Sequence, residues 1–149
     1  MIKTRIAHLQ DVRAVAELFD GYRQFYEEAA NLPLATQFIT ERMRNDESVI
    51  LVAEDDGGSM LGFCQLYPTF CSVEARPIYV LYDLFVASAH RKGGAGRQLM
   101  LAAESHACQQ GVMRLKLSTA INNLPAQALY ESLGWKHEQE FYAYNRRLC

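Results

Sequence analysis

The sequence is poor in the residues that build metal and disulfide scaffolds. It has only four cysteines, at Cys64, Cys71, Cys108 and Cys149, and no pair has CxxC spacing. The histidines His8, His90, His106 and His137 are scattered. No zinc site, other metal site or disulfide framework is therefore expected. Reduced cysteines fit a cytoplasmic location. Long apolar runs are also missing: Ile78–Tyr82, which no other run exceeds, stops at Asp83, far short of a bilayer span, so no membrane partner is expected. Charges at Lys3, Arg5, Asp11, Arg13, Glu17, Asp20 and Arg23 leave no room for an apolar leader. Basic excess is absent too. The net charge of -2 argues against nonspecific binding along nucleic acid. There is no repeat, low-complexity tract or Pro/Ser-rich linker, and 149 residues suit one domain over 1–149.

What is present is a readable alternation of elements. "IKTRIAHL" reads as a short first strand. Val12, Val15, Leu18, Phe19, Tyr22, Phe25 and Tyr26 then recur at helical spacing. "NLPLA" breaks that helix, and a second helix is expected over about 34–44. "SVILVAE" and "MLGFCQLYPT" read as strands joined by the turn "DDGG". "RPIYVLYDLFVA" is apolar nearly throughout, which suggests burial on both faces and a central place in the sheet. A helix follows to about Gln109, with Gly111 behind its end. "MRLKLST" alternates as a strand. "LPAQALYESLG" reads as a short helix, with Pro125 in its first turn and Gly134 ending it. "WKHEQEFYAYNRRL" is expected to give one or two last strands. The order implies an α/β (α+β) fold, a mixed sheet with helices on both faces.

The chemistry-bearing stretch is "HRKGGAGRQLM", which joins a strand to a helix. Gly93, Gly94 and Gly96 stand within it, among Arg91, Lys92 and Arg97. A helix N-terminus carries unpaired N–H groups and a partial positive charge. Glycines let an anion reach that backbone, so the stretch suits phosphate or pyrophosphate. A solvated glycine turn is the plain alternative. The P-loop pattern is absent, and the glycine spacing does not fit a dinucleotide fingerprint.

The spacing Arg91-Lys92-Gly93-Gly94-Ala95-Gly96 does match Arg/Gln-x-x-Gly-x-Gly/Ala. About thirty residues on, "NNLPAQALYESLGW" is similar to Asn-x-x-Ala-x-x-Leu-Tyr-x-x-x-Gly-Phe/Trp, filled by Asn123, Ala126, Leu129, Tyr130, Gly134 and Trp135. With these two motifs in order, the chain resembles the GCN5-related N-acetyltransferase (GNAT) superfamily over essentially its whole length. The resemblance implies a mostly antiparallel central sheet. It departs from the family at Lys92, where many members carry glycine, and at Ala95, where a bulky aliphatic is more usual. If position 92 needs a positive φ, lysine is strained there.

The resemblance also implies acetyl-CoA as cosubstrate. Its pyrophosphate would take the N–H groups of Arg91, Lys92, Gly93, Gly94, Ala95, Gly96 and Arg97, and its pantetheine arm would lie beside Leu84, Phe85 and Val86. The Val86 N–H would polarise the thioester carbonyl; one such donor is typically worth about 3 kcal/mol. Tyr130 would protonate the departing thiolate, since a phenol holds its proton at neutral pH. Asn123 and Ala126 would line the cofactor, and Asn123 also suits a helix N-cap. "LYDLFV" looks like the corresponding strand of diamine and polyamine acetyltransferases, which carry acidic residues there. Asp83 amid Leu81, Leu84 and Phe85 is costly unless bonded, so it is either a site residue or a structural acceptor. Alternation would put Tyr82 and Asp83 on opposite faces. Tyr26, Tyr67, Tyr82 and Phe70 are candidates for the acceptor wall. Glu27 and Glu28 read as a solvated helix end, with attraction of a cationic amine as the alternative.

The expected activity is transfer of an acetyl group to a primary amine of a small molecule, such as a polyamine or amino acid, by direct attack. The alternatives are a protein lysine or N-terminal acetyltransferase, and a non-catalytic acyl-CoA sensor. Pairing of two copies, through the aromatic "FYAYNRRL", is a further expectation from the resemblance.

Overall fold

A computed structural model describes residues 1–149, in two compact units, Met1–Ser118 and Thr119–Cys149. In the first unit five strands line up in chain order: β1 (Lys3–Ile6), β2 (Val49–Glu54), β3 (Met60–Cys71), β4 (Arg76–Val86) and β5 (Leu115–Lys116). The first four pair antiparallel, and β4 with β5 parallel, so the sheet is mixed and mostly antiparallel. The hairpin between β2 and β3 turns on Asp55. Its Oδ1 accepts from the N–H groups of Gly57 and Ser59, both at 2.9 Å, while Gly58 takes φ +82°.

α1 (Val12–Phe25) and α2 (Leu32–Arg44) cover one face. Val15, Leu18 and Phe19 of α1 and Ala35 and Ile39 of α2 form one cluster with Ile50, Val52 and Phe63 of the sheet. Burying each large apolar side chain contributes roughly 1.5–3 kcal/mol. The start of α2 lies two residues before the expected one. Asn31 caps it by accepting from the Leu34 N–H, and Pro33 is tolerated in a first turn, where no N–H is needed. Buried Asp20 ties the connection down, accepting from the Asn31 N–H at 2.9 Å.

α3 (Ala95–Gln109) covers the other face, running against β1 to β4 and burying Leu99, Met100, Ala103 and Ala107. Alternation turns Leu51 and Ala53 away from the α1/α2 cluster. Tyr79 of β4 stacks on His106 of α3 with ring centroids 6.0 Å apart.

Three expectations need correction. β3, not β4, is the middle strand: β4 meets β5 only at Tyr79 and Val80, and Tyr82 is 65% exposed. The strand expected over "MRLKLST" is only Leu115–Lys116 long. Residues 135–149 contain no strand, and Phe141, Tyr142, Tyr144 and Leu148 are all exposed. A strand needs a neighbour to bond, and alternating aromatics alone do not supply one.

The second unit holds α4 (Leu124–Ser132). Asn123 caps it by accepting from the Ala126 N–H at 3.2 Å, with Pro125 in the first turn. Gly134, at φ +92°, closes it, and the Trp135 N–H donates to the Tyr130 carbonyl. No helix of either unit is long and apolar enough to cross a membrane.

Candidate active site

The register of β3 and β4 contains an irregularity at the place that matters. Gln65 pairs with Asp83 and Leu66 with Leu81, which leaves Tyr82 as an extra residue, a β-bulge. A bulge defeats strict alternation. At this point Asp83 is buried while Tyr82 is largely exposed. The Tyr22 hydroxyl donates to the Tyr82 carbonyl at 3.2 Å.

Asp83 is 3% exposed. Burial raises its carboxyl pKa, and the hydrogen bond from Gln65, with the Tyr22 hydroxyl nearby, pulls it back down. Gln65, itself fully buried, donates from Nε2 to Asp83 Oδ2, and Ser48 Oγ donates to Gln65 Oε1 at 2.7 Å. Burial and the nearby Asp83 charge push the Tyr22 phenol up, and the same two causes push Tyr67 up to about 12. The Tyr67 and Tyr82 rings meet edge to face at 5.6 Å, and those of Tyr22 and Tyr26 at 5.2 Å. Three expected residues, Tyr67, Tyr82 and Asp83, thus gather in one cluster, and Tyr26 joins through Tyr22. Phe70 is 76% exposed. Glu27 and Glu28 are solvated, with Glu28 4.0 Å from Arg23.

Beyond Asp83 the strand runs through half-buried Leu84, Phe85 and Val86. Because the Ala87 N–H donates to Leu61, the antiparallel pattern turns the Val86 N–H and carbonyl away from β3. That edge of β4 has no strand beside it, since β5 pairs only with Tyr79 and Val80. An open strand edge is a template for an extended amide-bearing ligand. Arg91 folds back onto this edge. Its Nε donates to the Val86 carbonyl at 3.0 Å, and its guanidinium lies 5.4 Å from the Phe85 ring and 5.7 Å from the Phe25 ring.

The glycine stretch follows. Arg91, Lys92, Gly93 and Gly94 are exposed, Ala95 is buried and Arg97 is exposed. Gly94, at φ +91°, is the N-cap of α3 and supplies no side-chain cap. A β-carbon at Gly94 would meet nothing within 4 Å, so the helix start is approachable from outside. Lys92 takes φ +70°, the left-handed conformation that glycine fills at lower cost. These residues fit a pyrophosphate: uncapped N–H groups, glycine backbone and nearby cations. Bulky Ala95 substitutes would have no room, because Ala95 is only 1% exposed.

In the second unit Tyr130 lies on α4, half-buried, 6.2 Å from the Trp135 ring. Asn123 and Ala126 are held by the cap just described. No group of three or more His, Cys, Asp or Glu side chains is placed to hold a metal ion. Sequence reasoning missed Gln65 and Ser48, and favoured a core place over the acceptor wall for Tyr22. The available signal was one glutamine inside the apolar run "LGFCQLY", since a buried amide must be bonded.

The family model described as "Acetyltransferase (GNAT) family" matches residues 13–135. A protein named "Uncharacterized N-acetyltransferase YhfO" from Bacillus subtilis (strain 168) is 45% identical over 140 residues, covering 94% of this chain and 93% of that one. A "Probable acetyltransferase" of Haemophilus influenzae is 34% identical over 76 residues, covering 51% and 52%. A solved structure described as a probable acetyltransferase superposes with a TM-score of 0.92 at 34% identity, covering 99% of this chain and 98% of that one.

Proposed function

This chain belongs to the acetyltransferase (GNAT) family and is an N-acetyltransferase, and on that premise we propose that it moves an acetyl group from acetyl-CoA to a primary amine of a small molecule. The observation that carries the acceptor reading is the buried Asp83 carboxylate, whose charge acts on Tyr22 and Tyr67, with Tyr82 against the Tyr67 ring. An ammonium group is the natural complement of an anion and aromatic faces. Polyamines and amino acids are the substrate classes we favour.

The cosubstrate supplies an activated thioester. The N–H groups from Arg91 to Arg97 bind its pyrophosphate, helped by the charges of Arg91, Lys92 and Arg97. The open edge from Leu84 to Val86 orients the arm, and the outward Val86 N–H polarises the carbonyl. Asp83 accepts the proton of the acceptor amine. Tyr130 gives a proton to the departing sulfur, and Asn123 and Ala126 help hold the arm. Tyr26 and Tyr82 flank the acceptor. The proposal takes 1–149 as one catalytic domain, and the family match across residues 13–135 supports this. A cytoplasmic, homodimeric enzyme is part of it, with the exposed aromatic residues 141–148 as the pairing segment.

The test of the acceptor reading is Asp83→Asn with a panel of diamines and amino acids. Turnover with every amine should fall at least about a hundredfold, the low end for a general base. CoA affinity by calorimetry should stay within about twofold, because Asp83 makes no contact in the cosubstrate's proposed track. Full turnover in the variant refutes the assignment.

A further inference from the structure

The reading of Asp83 as proton acceptor leaves unexplained why a second polar side chain, Gln65, is buried beside it and bonded in turn to half-buried Ser48. Gln65 lies directly opposite Asp83 in the ladder and is 0% exposed. Its neighbours in the strand, Cys64 and Leu66, are fully buried too. An apolar residue would pack at position 65 without desolvating an amide. The amide is instead fully engaged at both ends, by Asp83 on one side and Ser48 on the other.

With Asp83 ionised, as a proton acceptor must be, the direction of these bonds is fixed. An ionised carboxylate only accepts, so the amide must turn its NH₂ toward Asp83. Its oxygen then faces Ser48, which must donate. The chain Ser48→Gln65→Asp83 therefore occupies Oδ2 and holds the carboxylate plane, leaving Oδ1 for other partners.

We propose that Gln65, held in turn by Ser48, is a positioning residue that fixes Asp83 so that Oδ1 receives the proton of the acceptor amine. This rests on the acceptor reading given above. In the step, one N–H bond of the ammonium breaks and one O–H bond forms at Oδ1. The freed nitrogen lone pair attacks the thioester carbon, and Asp83 returns its proton to water before the next turnover. Gln65 exchanges no proton.

The Asp83 titration has few local causes. Besides burial, Gln65 and Tyr22 of α1 set it, and the Asp83 charge in turn acts on Tyr22, Cys64 and Tyr67. Further out, Arg42 of α2 and Glu47 act on the Tyr67 phenol. Gln65 apart, none of these is altered by substitution at position 65 or 48, so the variants below isolate the relay.

The experiment measures kcat/KM against pH for Gln65→Met, Ser48→Ala and Ser48→Thr, alongside the Asp83 carboxyl titration followed by carbon NMR. Losing the Gln65 donor removes a bond that favours the charged carboxylate. The acidic limb and the Asp83 titration should both move to higher pH in Gln65→Met, and kcat/KM at pH 7 should fall roughly tenfold, the size of one hydrogen bond to a charged group. Ser48→Ala should move both in the same direction by less, and Ser48→Thr should restore them. In the Gln65→Met background, Ser48→Ala should add nothing. If Gln65→Met does not fold, the two Ser48 variants decide alone. An Asp83 titration that stays at its wild-type position in the folded variants overturns the proposal. If the wild type acetylates no amine, the acceptor reading falls, while the NMR titration still decides whether Gln65 tunes Asp83.

Discussion

Gly62 approaches Phe85 so closely that a β-carbon on it would stand 2.6 Å from the Phe85 carbonyl oxygen and 3.1 Å from the Val86 Cα. The obstructing atoms are backbone, so no rotamer change relieves the contact. Gly62→Ala must push β3 and β4 apart where the strand edge is proposed to orient the cosubstrate. Overpacking of this kind costs about 1–3 kcal/mol. Urea unfolding should report that loss, and calorimetry should show weaker CoA binding. Unchanged CoA affinity would separate the strand edge from the cosubstrate.

The left-handed residues of the loop make an opposed pair of predictions. Lys92 sits at φ +70° and Gly94 at φ +91°. A side chain in this region costs roughly 1–2 kcal/mol. Lys92→Gly should therefore stabilise the fold by up to about 1 kcal/mol, since glycine's extra unfolded freedom offsets part of the gain. Gly94→Ala should destabilise by about 1 kcal/mol or more and weaken CoA binding as the start of α3 shifts. Thermal melts of the two variants check both signs.

Asp83 sets function against stability. Burial raises its carboxyl pKa above the unfolded-chain value of 3.8. The folded chain then holds the Asp83 proton more tightly than the unfolded chain does. Its contribution is favourable at low pH and is lost as pH rises through the folded value. Asn carries no charge to desolvate. Asp83→Asn should thus melt higher than wild type at pH 8, and the difference should vanish toward pH 4. A variant less stable than wild type at every pH would mean that the ionised carboxylate is a net structural asset.

The thiols should divide by burial. Cys64 is fully buried, and burial pushes its pKa up to about 12. Cys108 and Cys149 are exposed. Reaction with a thiol reagent at pH 8 should modify the exposed pair at once and reach Cys64 only on unfolding. Rapid labelling of Cys64 in the native protein would show that β3 opens readily.

The glycine stretch and "NNLPAQALYESLGW" were legible because their chemistry is local: cap, turn and helix start are written within a few residues. Helix periodicity located α1 for the same reason, and the glycine stretch and Gly111 bracketed α3. The Gln65–Asp83 pair was not legible, because it joins positions 18 apart through strand register. Register cannot be read across a bulge, and Tyr82 is where it slips. The apolar run of β4 suggested a central strand, yet its outer edge is largely unpaired. Residues 135–149 have the alternation of a strand but form none.

The most direct measurement is thiol release from acetyl-CoA with purified protein and a panel of primary amines, with the product identified by mass spectrometry. The account predicts release only when protein and amine are both present, an N-acetylated amine as product, and a drop of at least about a hundredfold in Tyr130→Phe, as expected when a proton donor is removed. Tight CoA binding with no release for any small amine would contradict it.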